Sequence, residues 1–276
     1  MYTHLQLRDS ARPPVSLATL HKMKADGEKI ASLTCYDASF AVLVDEADAD
    51  LVLVGDSLGM VIQGHDTTVP VTMDDMVYHC RAVSRGLHRP LLMADLPFAS
   101  YPTKDIALAN SVRLMQEGGA EIVKLESGPS QLEIVEFLAT HDIAVCAHLG
   151  LKPQSVHKTG GFRVQGRSDD AAERMLQNAI DLEAAGADMI LLECIPTSLG
   201  QKITEALRVP VIGIGAGPHT DGQILVLYDV LGITTGRQPR FVLNCMAEAG
   251  DNLTAMRQFV QAVKAGSYPA PEHCFD

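Results

Sequence analysis

The chain has no CxxC pair and no regular cysteine spacing, although it holds six cysteines, at 35, 80, 146, 194, 245 and 274. That pattern speaks against a disulfide framework and for reduced, buried thiols in a cytoplasmic protein, with Cys35, Cys146 and Cys194 inside apolar runs. No apolar run reaches the roughly 18 residues that cross a bilayer. The segment from Met1 to Pro14 lacks the apolar stretch of a secretory signal and reads as a short arm ahead of the fold. Cations are scarce: 22 Lys and Arg stand against 34 Asp and Glu, a net charge of -12. A nucleic-acid partner needs clustered Lys and Arg, so that class is set aside, as is a membrane partner. An anionic small molecule is still open to local cations. No repeat, linker or low-complexity segment interrupts the chain.

What is present is a run of strand-like segments, each ending on a residue able to bind a metal or move a proton. They read LVLVG-Asp56-Ser57, PLLMA-Asp95, EIV-Lys124-Leu125-Glu126, IAVCA-His148 and DMILL-Glu193. Strands are expected at 29–35, 51–54, 90–94, 122–125, 143–147, 189–192 and 209–214. The eighth is less defined: 223–228 reads as helical and 232–234 as a short strand. Helical patterns over 38–47, 73–85, 103–116, 130–141, 170–185 and 251–265 separate them. The alternation, over 276 residues of which 47% are hydrophobic, predicts an α/β fold of the (β/α)8 type. The expected layout is an arm over 1–15 and one barrel domain over 16–276, including the C-terminal helix and tail.

In such barrels the active site lies where the strands end. Asp56, Asp95 and Glu126 fall there, and oxygen-only ligands suit a hard cation, Mg2+ before Zn2+. Each could instead cap the following helix. Lys124 and Glu126, two apart on one strand, share a face. Lys124 is then an anchor for a substrate carboxylate or the partner of a buried pair with Glu126. Glu193 follows an apolar run that would raise its proton affinity, as a general base requires. His148 is the second proton-transfer candidate, or a hydrogen-bonded core histidine. Leu33, Tyr36 and Met60 are expected near the site. Gly213 to Gly217 lacks the spacing of a dinucleotide fingerprint and reads as a tight rim turn. The glycine-containing stretch 150–168 is long enough for a lid.

Seven segments carry a family resemblance: VGDSLGMVIQGHDTT (54–68), VTMDDMVYH (71–79), MADLPF (93–98), VKLE (123–126), AHLGLKPQS (147–155), LLECIP (191–196) and IGIGAGPHTDGQILV (212–226). Together they resemble the ketopantoate hydroxymethyltransferase family, from about Ala31 to the Tyr268-Pro269 region. The resemblance implies a barrel of the phosphoenolpyruvate mutase/isocitrate lyase type, assembled as a homodecamer. It implies transfer of a one-carbon unit from 5,10-methylenetetrahydrofolate to 3-methyl-2-oxobutanoate through a Mg2+-stabilised enolate. The product, 2-dehydropantoate, leads to pantothenate and coenzyme A. It further implies Mg2+ on Asp56, Asp95 and Glu126, keto-acid contacts from Ser57 and Lys124, and Glu193 as base, with His148 lining the same pocket. A Mg2+-dependent C–C lyase or phosphonomutase on the same scaffold would share these carboxylates. A catalytically silent barrel would have no use for Glu193 and Lys124 together.

Overall fold

The computed structural model describes residues 13–236 and 238–276, so residues 1–12 of the expected arm lie outside the described residues. Among the described residues Val15 is the first that is buried, and it donates its backbone N–H to Arg89 O at 2.8 Å. The first helix, α1 (Leu17–Asp26), is closed at both ends. Ser16 and Thr19 form a capping box, and Gly27 takes φ +73 at the exit.

Strand and helix then alternate: β1 (Ile30–Thr34), α2 (Ala38–Glu46), β2 (Leu51–Val54), α3 (Leu58–Val61), α4 (Met73–Ser84), β3 (Leu91–Asp95) and α5 (Lys104–Gln116). The series continues with β4 (Ile122–Glu126), α6 (Leu132–Ala139), β5 (Val145–Gly150), α7 (Val156–Thr159), α8 (Asp169–Ala184) and β6 (Met189–Glu193). It ends with α9 (Thr197–Ala206), β7 (Val211–Ile214), β8 (Gly222–Leu225), α10 (Leu227–Val230), α11 (Met246–Ala249) and α12 (Asn252–Lys264). The strands form a closed parallel barrel in chain order, β8 pairing back onto β1. Their near-continuous apolar runs follow from burial on both faces, with lumen inside and helices outside. Because all strands run one way, their C-terminal ends share one mouth. The register sets Asp95 beside Lys124, Glu126 beside His148, and Gly150 beside Glu193.

Three expectations are corrected. The eighth strand is Gly222–Leu225, not 232–234, and only 227–230 of the next stretch is helical. Its polar Gln223 disguises it, but Gln223 Nε2 is satisfied at Gly217 O (2.9 Å) and Thr220 Oγ1 (2.8 Å). A Cβ at Gly222 would stand 2.4 Å from Ile30 O, so only glycine allows the seam to close. The fifth strand starts later and runs further, so His148 lies inside it rather than beyond its end. Between β6 and β7 the chain forms α9, to which the sequence reading gave no helix. The rim turn after β7 is as expected, with Gly215 at φ +61 and Gly217 at φ +82.

Candidate active site

The expected site residues gather at the mouth, and nearly all are buried: Asp56 is 6% exposed, Asp95 2%, Lys124 5%, Glu126 5% and His148 2%. Asp56 sits two residues beyond β2, and its backbone N–H donates to Asp95 Oδ2 at 3.1 Å. Lys124 Nζ reaches Asp95 Oδ1 at 2.5 Å, so the close partner of Lys124 is on the neighbouring strand, not Glu126 on its own. Lys124 Nζ also lies 3.4 Å from His148 Nδ1. His148 Nε2 stands 3.3 Å from Glu193 Oε2, without the alignment of a hydrogen bond. Ser57 Oγ bonds the phenol of Tyr36 at 2.8 Å, and Tyr36 is buried as a wall of the site. Leu33 is buried within β1, while Met60 on α3 is exposed at 38%. Asp56, Asp95 and Glu126 do not occupy the N-cap positions of the helices that follow them; those are Ser57, Thr103 and Gln131.

The backbone around Glu193 is tightly specified. Gly150, at φ +99, packs so closely that a Cβ there would fall 2.1 Å from Glu193 O. That carbonyl accepts from Leu151 N at 2.8 Å. Cys194 takes φ +49, a left-handed conformation that costs a side-chain-bearing residue about 1–2 kcal/mol. It is held by Cys194 N to Ile214 O and Gln165 N to Cys194 O, both 2.9 Å.

Burial, and then the neighbouring Asp95, push the Asp56 carboxyl up to about 7. Burial pushes Glu126 up to about 8, against the Gln154 N–H that favours its charged form. Burial likewise lifts Glu193 to about 7, opposed by the Lys124 charge. For Lys124, burial works against the ammonium, but Asp95 and Asp56 outweigh it and hold its pKa above the usual lysine range. Burial and then the Lys124 charge hold His148 neutral, well below the usual imidazole value. Glu193 differs from its neighbours in keeping 17% of its side-chain surface open, so an entering molecule can reach it. Cys35 and Cys194 are buried, and burial raises both thiols.

Four carboxyl groups crowd one ammonium in a dry site, and three of them hold their protons more tightly than usual; a cation could take the place of those protons. Among the described residues, no three His, Cys, Asp or Glu side chains are grouped so as to hold a metal by themselves. What is present is an oxygen-only set with Asp56 and Asp95 adjacent. That set fits an ion that takes one or two carboxylates and keeps the rest of its shell as water or substrate oxygen, as Mg2+ does.

Gln154 and Tyr101 were not singled out by sequence reasoning. The Gln154 amide donates to Asp56 Oδ2 at 2.8 Å and to Leu96 O at 3.0 Å. It accepts from Tyr101 Oη at 2.6 Å, and its backbone N–H donates to Glu126 Oε1 at 2.8 Å. The signal available was position alone, a polar residue in the loop directly after β5. Beside these residues opens a cleft of about 420 Å³, lined among others by Phe98, Tyr101, Glu126, Lys152, Gln154 and Lys158. The stretch 150–168 is pinned by Leu151, Gln154 and Gln165 and carries α7, so it is not free along its whole length.

A closed barrel of eight parallel strands, with buried carboxyl groups, a lysine and a histidine at its C-terminal mouth, is an enzyme scaffold of the (β/α)8 class. It is similar to a solved 2,3-dimethylmalate lyase, a PEP mutase/isocitrate lyase superfamily member. The TM-score is 0.56 at 16% identity, covering 76% of this chain and 80% of that one, so the likeness is one of fold. The chain belongs to the ketopantoate hydroxymethyltransferase family, which it matches over residues 14–271. It is 57% identical over 264 residues to the 3-methyl-2-oxobutanoate hydroxymethyltransferase of Alkalilimnicola ehrlichii, covering 96% of this chain and 95% of the relative. It is 55% identical over 258 residues to the enzyme of that name from Nitrosococcus oceani, covering 94% and 98%.

Proposed function

We propose that this chain transfers a hydroxymethyl group from 5,10-methylenetetrahydrofolate to 3-methyl-2-oxobutanoate, giving 2-dehydropantoate for pantothenate and coenzyme A synthesis. One observation carries the reading. A single mouth joins Glu193, whose proton affinity is near neutral and which is partly open, to the buried Lys124 ammonium and the Asp56–Asp95 pair. Family membership supports it.

Asp56 and Asp95 would hold a Mg2+ ion, with Glu126 contributing directly or through water. Bound there, the ion would act as a Lewis acid toward the negative charge that develops on the keto-acid oxygens. Lys124 binds the substrate carboxylate, and Ser57, held by Tyr36, adds a hydroxyl contact. Glu193 takes the C3 proton, and the C–H electron pair becomes an enolate. His148, kept neutral, lines the pocket next to Glu193. The enolate carbon then bonds the folate's methylene carbon as one of that carbon's two C–N bonds opens onto nitrogen. Water replaces the second nitrogen and supplies the hydroxyl oxygen, and tetrahydrofolate departs with the C3 proton and one water proton on the two nitrogens.

The folate lies over the cleft beside Gln154. There Phe98, 48% exposed, offers a face for an aromatic ring, and Lys152 and Lys158 offer charge to the glutamate tail. The exposed part of the stretch 150–168 covers it. The described helices include none long and apolar enough to cross a membrane. The working form is read as a homodecamer, as the family resemblance implies, and as cytoplasmic from its unpaired cysteines. Product formation from the two substrates with Mg2+, followed by NMR, tests the reading. Turnover without folate dependence, or none at all, would overturn it.

A further inference from the structure

We propose that Gln154 is a positioning residue for the cation site, setting the Asp56 and Glu126 carboxylates in the orientation a cation meets. The inference rests on the cation reading above and adds a residue to it. Gln154 is buried, at 6% exposure, and its side chain is fully used. Both amide hydrogens are spent, one on Asp56 Oδ2 (2.8 Å) and one on Leu96 O (3.0 Å). The amide oxygen takes the Tyr101 hydroxyl at 2.6 Å. Turning the amide over would set its oxygen against the Asp56 carboxylate and the Leu96 carbonyl, two acceptor-to-acceptor contacts. Its orientation is therefore fixed by the network. The backbone N–H of the same residue donates to Glu126 Oε1 at 2.8 Å.

One residue in the loop after β5 thus ties together the carboxylate beyond β2, the carbonyl beyond β3 and the carboxylate that ends β4. By occupying Asp56 Oδ2 and Glu126 Oε1, it leaves the other oxygen of each carboxylate for the ion. Outer groups that orient metal-binding carboxylates typically contribute a factor of about 10–100 in metal affinity. Tyr101 acts one step further out, through the amide oxygen, so its share should depend on Gln154 being present.

The test is Mg2+ titration by calorimetry on the wild type, Gln154→Met, Tyr101→Phe and the double variant, without substrate, with circular dichroism to verify folding. The expected result is a Kd raised about tenfold or more by Gln154→Met. Tyr101→Phe alone should give a smaller loss, and it should add little on top of Gln154→Met. A folded Gln154→Met protein that binds Mg2+ within about twofold of wild type would overturn the proposal, as would two losses that multiply in full. If Gln154→Met fails to fold, an unchanged Kd in Tyr101→Phe overturns it. A wild-type chain that binds no Mg2+ would instead defeat the cation reading itself, and this inference with it.

Discussion

Lys124 closes onto Asp95 of the adjacent strand at 2.5 Å, rather than onto Glu126 two residues along its own. The register makes this possible, because Asp95 and Lys124 are paired across β3 and β4. The ammonium is thereby held at the base of the mouth, where the proposed function has it meet a substrate carboxylate. Replacing Lys124 by Met should raise the KM for 3-methyl-2-oxobutanoate about 10- to 100-fold, the range expected for losing a hydrogen bond to a charged group. Lys124→Arg should not restore it, since the planar guanidinium needs room that a buried point charge does not. Steady-state kinetics with each variant checks both statements.

Glu193 gives a signed pH prediction in the metal-free protein. Its carboxyl is lifted from the usual value of 4.5 to about 7, so the folded state holds the proton more tightly than the unfolded chain. The corresponding stability is present below about pH 4.5 and is lost as pH rises through about 7. Gln cannot ionise, so Glu193→Gln should match wild type near pH 4.5. By pH 8 it should be more stable by up to about 3 kcal/mol. Urea denaturation at the two pH values measures the difference.

Gly150→Ala should destabilise the fold and disturb Glu193 together. The new Cβ would fall 2.1 Å from Glu193 O, on a backbone at φ +99 that side chains rarely adopt. Because the obstacle is backbone, it cannot swing away. A loss of about 2–3 kcal/mol is expected by urea denaturation, together with reduced turnover.

Lys158→Glu should weaken the folate more than the keto acid. Lys158 lines the cleft beside Gln154. Reversing its charge should raise the KM for 5,10-methylenetetrahydrofolate about 3- to 10-fold, with a smaller change for 3-methyl-2-oxobutanoate.

The barrel was legible because its strands are apolar runs bounded by helical patterns, and the site because carboxylates directly follow those runs. Asp56, Asp95, Glu126 and Glu193 announce themselves in this way. β8 did not, since four residues cannot show a period and Gln223 hides its burial behind two local hydrogen bonds. The partner of Lys124 was not readable either. Shared-face spacing points to Glu126, whereas the choice of Asp95 depends on inter-strand register. Gln154 carries no charge and follows a proline, so only the folded contacts reveal it. Gly150 shows the same limit: its need for glycine arises from the Glu193 carbonyl, which is distant in sequence.

The central claim is that Glu193 removes the C3 proton of the keto acid, and proton exchange tests it most directly. C3 exchange of 3-methyl-2-oxobutanoate in D2O would be followed by NMR with and without Mg2+, for wild type and Glu193→Gln, before and after adding folate. The account predicts Mg2+-dependent exchange in the wild type that rises with pH as the Glu193 carboxyl gives up its proton. It predicts a rate about 10²–10⁴-fold lower in Glu193→Gln, with 2-dehydropantoate forming once folate is present. Exchange that survives unchanged in Glu193→Gln would contradict the account and move the base elsewhere, with His148 the next group to replace.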